Sequence, residues 1–194
     1  MPTALVRRPG PRLAEGIVTH QERTPVDVAL AGQQWQAYVD TMADHGWDIV
    51  EAEPADAHPD AVFIEDALVV FDDLAVVTRP GAPERRGEIA GAEQAAVRLG
   101  LEVRRLGPVG TLDGGDVLKV GRDVYVGVSG RTEAAAVTCL ADILRPRGWS
   151  VRPVPTSRVL HLKSAITALP DGTIVGHPDA VDDPSVFDRF LAVP

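Results

Sequence analysis

The 194-residue sequence predicts an α/β fold of repeated β-β-α-β modules in a propeller-like arrangement, and three observations carry that prediction. First, a hairpin pattern occurs three times. Glu65-Asp66 opens ALVV, Phe71-Asp72-Asp73 turns and LAVVTRPG returns; Gly115-Asp116 opens VLKV, Gly121-Arg122-Asp123 turns and VYVGVSG returns; Lys163-Ser164 opens AITAL, Pro170-Asp171-Gly172 turns and TIVGHP returns. Second, the copies start 50 and then 48 residues apart, a period in the range of propeller-like repeats whose units bury apolar faces against one another. Third, a helical apolar period and then one short strand separate successive hairpins. With 45% hydrophobic residues the chain can bury a substantial core, so residues 1–194 are expected to form one domain.

Taken in order, residues 3–7 read as a short apolar strand ended by Arg8-Pro9-Gly10-Pro11. Residues 12–25 show no period, and Ala14-Glu15-Gly16 and Thr19-His20-Gln21 read as an exposed, mobile loop. Over 26–45, Val28, Leu30, Trp35, Ala37, Tyr38 and Met42 recur at helical steps, and Gly46 is placed to end that helix. A strand at 47–50 precedes the first hairpin, at about 61–79. The next helix covers 86–99, with Ile89, Ala92, Ala96 and Leu99 on one face, and LEVRRL follows as a strand. After the second hairpin, Thr132 is placed to cap a helix over 133–144, and WSVRPV is the strand leading to the third hairpin near His161. The first module shows only one hairpin strand. The fourth retains only 184–191, expected as a helix with no strand after it. A ring of modules must close its last unit on its first, so about four modules in an incomplete, C-terminally truncated ring are expected.

Lys plus Arg number 19 against 28 Asp plus Glu, a net charge of −9 that argues against nucleic-acid or anionic-membrane surfaces. A single cysteine excludes a disulfide framework and fits a reducing compartment. No apolar run approaches a membrane span, and no signal-peptide core is visible at the N-terminus. The expected setting is cytoplasmic.

Acidic residues gather at the mouth of the first hairpin: Asp60, Glu65 and Asp66. Regular strand alternation would put Asp60 and Asp66 on one face and Glu65 on the other. A solvated strand entrance is the plain reading. Against it, Glu65-Asp66 sits between VFI and ALVVF, where a carboxylate is costly without a partner, so the pair is a candidate grip for a cation. The segment TLDGGD has no GxxxxGK and no expected helix start, so it is not a phosphate loop; it puts Asp113 and Asp116 at the end equivalent to Glu65-Asp66. His161, in VLHLKS, holds the corresponding place in the next module. A histidine among leucines is commonly a satisfied core residue, but radial repeats would bring Asp66, Asp113 and His161 to one axis. Two carboxylates there would favour the charged imidazole and suit it to proton donation. No His/Cys spacing resembles a metal site. Arg85 and Arg131 follow the first two hairpins and are expected at the rim, where two forked guanidinium groups could clamp a carboxylate. Acids inside and arginines outside suit an amino acid with a cationic side chain.

Together PDAVFIED, TRPGAPERRGE, TLDGGDVL, the Ser-Gly-Arg-Thr step and LHLKS resemble the dimethylarginine dimethylaminohydrolases of the amidinotransferase-like superfamily, in order, in spacing and over essentially the whole chain. The resemblance implies a five-bladed β/α-propeller and cofactor-free hydrolysis of methylated arginine to citrulline and a methylamine. It also implies roles: Asp66 binding the guanidinium with Glu65 in support, and Asp113 orienting His161 and holding a guanidinium nitrogen. His161 would protonate the leaving amine and then activate water. Arg85 and Arg131 would take the α-carboxylate and Asp60 the α-ammonium, under a lid at 16–20. Glu133 departs from the family's usual Asn. The nucleophile departs further: the family uses a cysteine in the fifth module, whereas Cys139 lies in TEAAAVTCLADIL, a predicted helix, and is read as a small hydrophobe. Without a thiolate the covalent route is closed, so the chain is expected to bind but not turn over. Two alternatives stand beside this reading. One is a non-catalytic or partner-completed arginine-ligand fragment whose open edge is covered by a homodimer or another chain. The other is an enzyme of arginine deiminase type.

Overall fold

The computed structural model describes residues 1–19 and 21–193, so His20, in the expected lid, and Pro194 lie outside the described residues. The chain divides into two compact units. One comprises residues 1–77 and 83–104, and the other comprises 78–82 and 105–194.

The first unit opens with β1 (Thr3–Val6), crosses through α1 (Val28–Asp44) and returns as β2 (Asp48–Glu51), which pairs parallel to β1 in the register Thr3 to Asp48. The Asp27 carboxylate caps α1 by accepting from the Leu30 N–H at 3.0 Å. Gly46, at φ +83°, reverses the chain after it, as expected. Next come β3 (Leu68–Phe71) and β4 (Leu74–Val77), antiparallel around Asp72-Asp73, with Asp72 at φ +54° in the turn. Helix α2 (Ile89–Arg98) follows and β5 (Glu102–Arg105) completes the sheet order β3-β4-β5. Three alanines, Ala92, Ala95 and Ala96, make α2 smooth enough to lie close on this sheet. Ala92 and Ala96 join Ala67, Leu68, Ala75 and Val77 in the core of this unit.

The second unit repeats the plan. β6 (Val117–Val120) and β7 (Asp123–Val128) form an antiparallel hairpin, and α3 (Ala134–Leu144) carries the chain to β8 (Ser150–Pro155), parallel to β7. A single helical turn, α4 (Leu162–Ala165), then leads into β9 (Ile166–Ala168) and β10 (Ile174–Gly176), again antiparallel, and β11 (Phe190–Ala192) pairs parallel to β10. Tyr125, Leu162, Ile166, Ile174 and Phe187 fill the core between these sheets. The rings of Tyr125 and Phe187 meet edge to face at 5.1 Å.

Four expectations are corrected. Residues 184–191 form no α-helix: a 3-10 turn at Pro184–Val186 leads to β11, so the fourth module does gain its parallel strand. The segment before β3 is a 3-10 turn, Ile64–Asp66, so strand alternation does not govern Asp60, Glu65 and Asp66. A 3-10 turn, Gly114–Asp116, also occupies GGD, where no helix was expected. Finally, α3 begins at Ala134, its cap position is Glu133 without a side-chain bond, and Thr132 has other partners.

Candidate active site

Each unit holds a buried polar constellation. In the first, the turn Ile64–Asp66 points Asp66 inward and leaves Glu65 exposed. The carboxylate cost anticipated for the pair therefore falls on Asp66 alone, and Arg85 meets it. The Arg85 NH1 donates to Asp66 Oδ2 at 2.6 Å, and its Nε and NH2 donate to Glu88 Oε2 at 3.1 and 2.8 Å. NH2 also reaches the carbonyls of Asp60 and Phe63 at 3.1 and 3.3 Å. Burial alone would lower the Arg85 pKa; the hydrogen bond to Glu88 and the charges of Asp66 and Glu88 outweigh it and hold the guanidinium well above its ordinary value. The placement of Arg85 at an exposed rim is thus corrected. The residue is 5% exposed, and its fork is engaged by two carboxylates and two carbonyls.

Two members of this network were not anticipated. Glu88 is 1% exposed, three residues after Arg85 on the 3-10 segment Pro83–Glu88; that spacing, which puts an Arg and a Glu side by side on a helical turn, was the available signal. Arg7, at the end of the first strand, is equally buried and donates to the carbonyls of Ala61 and Glu88. Its pKa is lowered by burial, against the pull of Glu88 and with the repulsion of Arg85. Asp60 faces a different group. Both of its carboxylate oxygens accept from the Ile17 N–H, at 3.2 and 3.1 Å, so it tethers the start of the expected lid.

In the second unit Asp113, Asp116 and His161 are brought together, all buried. The segment 78–82 runs beside Leu112 through a bridge from Arg79, and the Gly81 N–H donates to Asp113 Oδ1 at 2.8 Å. Gly81 has to be glycine for a steric reason: a Cβ there would lie 2.6 Å from the Arg131 carbonyl oxygen. Asp116 is the hub. Its Oδ2 accepts from the hydroxyls of Ser129 and Thr132 at 2.8 and 2.6 Å, and its Oδ1 accepts from the Leu162 N–H at 2.9 Å. That last bond holds the first turn of α4 and thereby the residue just before it, His161, in extended backbone. His161 Nδ1 lies 3.4 Å from Asp116 Oδ2, and Nε2 lies 3.8 Å from Asp113 Oδ2. Arg131 NH1 is likewise 3.8 Å from Asp113 Oδ2, with 13% of its side chain exposed. Glu133 is exposed and accepts from the Thr111 hydroxyl at 3.3 Å. Sequence placed Asp116 at the right end of its module without assigning it a partner; nothing local connects it to residues 129, 132 and 162. Cys139 sits half-buried on α3, beside Gly107.

Chemically, the second constellation offers an imidazole with a carboxylate near each nitrogen, and the first offers a carboxylate fixed by an arginine. No helix among the described residues is long and apolar enough to cross a membrane.

No family model matches the chain. Among curated proteins, it is 59% identical to an N(G),N(G)-dimethylarginine dimethylaminohydrolase of Streptomyces coelicolor, over 98% of this chain and 74% of that protein. It is 32% identical to the dimethylarginine dimethylaminohydrolase of Pseudomonas aeruginosa, over 98% of this chain and 75% of that one. A solved structure of the Pseudomonas aeruginosa enzyme, a cysteine-to-serine mutant complexed with citrulline, superposes with a TM-score of 0.91 at 31% identity, covering 100% of this chain and 76% of that one. The fold of the chain is this mixed α/β, propeller-like one.

Proposed function

Because the chain belongs to the dimethylarginine dimethylaminohydrolase family, we propose that its site binds N-ω-methylated arginine and serves the hydrolysis of that guanidinium to citrulline and a methylamine, in the cytoplasm and without a cofactor. The observation that carries this reading is His161 set between two buried aspartates, Asp113 and Asp116. An imidazole with carboxylates at both nitrogens is stabilised when charged, which suits it to protonate a leaving amine and afterwards to take a proton from water. Asp66, oriented by Arg85, is assigned to the guanidinium together with Asp113, with Glu65 in support. Arg131, the partly exposed guanidinium, is assigned to the α-carboxylate. Arg85 is reassigned from that clamp to holding Asp66. Asp60 is assigned to the α-ammonium, in exchange for the Ile17 N–H it now accepts.

The covalent route requires a thiolate at the guanidinium carbon. Cys139, on α3, is assigned a packing role, so residues 1–194 are expected to bind the ligand without releasing citrulline. A covering partner, either a second copy or another chain, fits the same reading.

Calorimetric titration of the purified chain with asymmetric dimethylarginine, beside a citrulline assay, tests this. Saturable binding that is lost in Asp66→Ala, with no citrulline, is the expected result. Absence of binding overturns the site assignment, and citrulline release abolished by Cys139→Ser overturns the packing role of that thiol.

A further inference from the structure

We propose that Glu88 is a specificity-determining residue: its buried charge balances Arg85 and so leaves the Asp66 carboxylate to a cationic ligand rather than a neutral one. The inference rests on the proposed reading in which Asp66 meets the ligand's guanidinium. Among the described residues, the buried charges of the first unit are Arg7, Arg85, Asp60, Asp66 and Glu88. Asp60 turns its carboxylate to the Ile17 N–H and offers Arg85 only its carbonyl. That leaves Arg7 and Arg85 against Asp66 and Glu88.

The two carboxylates are not used alike. Glu88, 1% exposed, takes the Nε and NH2 edge of Arg85: Nε donates to both of its oxygens at 3.1 Å, and NH2 donates to Oε2 at 2.8 Å. Asp66 receives NH1 on Oδ2 at 2.6 Å. Arg7 is bonded by no carboxylate. Its NH1 and NH2 donate to the carbonyls of Ala61 and Glu88, and its Nε is buried without an acceptor. Gly91 lets α2 lie close over it, since a Cβ there would stand 2.9 Å from Arg7 NH2. The charge that attracts Arg7 is that of Glu88. One carboxylate therefore serves two arginines. With a neutral amide in its place, both guanidinium charges fall on Asp66, in a buried setting where solvent and salt screen little. An arriving guanidinium would then meet two fixed cations and one anion. With Glu88 ionised the four charges cancel, and the arriving cation meets no excess of like charge.

Calorimetric titration with L-arginine, asymmetric dimethylarginine and citrulline tests this, read as the ratio of cation to citrulline affinity. Citrulline carries a ureido oxygen where arginine has an amidino nitrogen, so the pair differs chiefly in charge. Asp60, Glu65, Asp113 and Arg131, the other charges assigned to the ligand, are the same in every variant and cancel in the ratio. The wild type is expected to prefer the cations. Glu88→Gln should lower the ratio about tenfold, the size of one unit charge acting across a guanidinium at intermediate dielectric. Glu88→Asp keeps the charge on a shorter stem and should hold the ratio within about threefold. An equal fall in both variants would assign the effect to packing and overturn the proposal, as would an unchanged ratio in Glu88→Gln. Arg85→Met combined with Glu88→Gln removes one charge of each sign, so its ratio should return to within about threefold of the wild type. This double variant carries the test where Glu88→Gln does not fold, and a loss of about tenfold in it overturns the proposal. A wild type that binds arginine but not dimethylarginine counts against the proposed function and leaves the Glu88 result standing. One that binds citrulline as tightly as the cations overturns this inference alone, and one that binds none of the three overturns both.

Discussion

Replacing Arg85 by methionine keeps most of the side-chain volume and removes the charge between Asp66 and Glu88. The side chains involved are 6%, 9% and 1% exposed, so water can do little to compensate. Breaking a buried ion pair by deleting one partner costs about 3–5 kcal/mol, because it strands the opposite charge without solvation. Here one deletion strands two carboxylates, which puts the expected loss at the upper end, about 5 kcal/mol. That is a large part of the roughly 5–15 kcal/mol that holds an ordinary domain folded. Urea unfolding at neutral pH, followed by far-ultraviolet circular dichroism, would measure it. Adding Glu88→Gln to Arg85→Met should return about 1–3 kcal/mol, since one of the two stranded charges is then gone. A loss below about 1 kcal/mol for Arg85→Met, the range of an exposed pair, would refute the reasoning. So would a double variant less stable than the single one.

Gly127→Ala should cost about 1–3 kcal/mol by overpacking, since the new methyl meets Asp116 Oδ1, Thr156 Oγ1 and the Leu162 Cβ at 2.5, 2.9 and 3.0 Å; urea unfolding gives the number, and a neutral result would mean that α4 can shift away from β7. Tyr125 predicts an alkaline limb in stability. Burial raises its pKa, with Arg152 opposing and Asp188 and Asp123 reinforcing, so its contribution is fully present below the ordinary tyrosine value of about 10 and is lost as pH rises through the higher folded value. Tyr125→Phe should flatten that limb relative to the wild type, and identical alkaline profiles for the two proteins would count against this assignment.

The hairpins were legible because each joins two apolar runs through a polar turn, and those turns, Asp72-Asp73 for example, dictate the reversal locally. What escaped were features shorter than a period or decided at a distance. The single turns Ile64–Asp66 and Leu162–Ala165 are too brief for a 3.6-residue pattern to declare itself. β11 is three residues that pair only because β10 offers them an edge. Thr132 has a cap residue's chemistry and an obvious helix after it, yet Asp116, 16 positions earlier, takes its hydroxyl. The sequence points Arg85 outward because arginines usually face water; Asp66, 19 positions away, keeps it inside. Within the second unit, repeat-equivalent positions point to Asp113 beside His161, and the two stand 3.8 Å apart, but the shorter contact to the ring, 3.4 Å, belongs to Asp116.

The path of residues 78–82 bears on how the protein can be divided. The chain leaves the first unit after Val77, contributes five residues to the second, and goes back at Pro83 for another 22. No single cleavage of the backbone therefore yields two intact halves. A gene truncated to begin at residue 105 would encode β6 to β11 and every side chain of the Asp113–Asp116–His161 set, yet it would lack the Arg79 bridge to Leu112 and the Gly81 N–H on Asp113. Dissection by shuffling, permutation or split-reporter fusion has to carry that pentapeptide along with the C-terminal piece, or it will test an aspartate that has lost its main-chain donor.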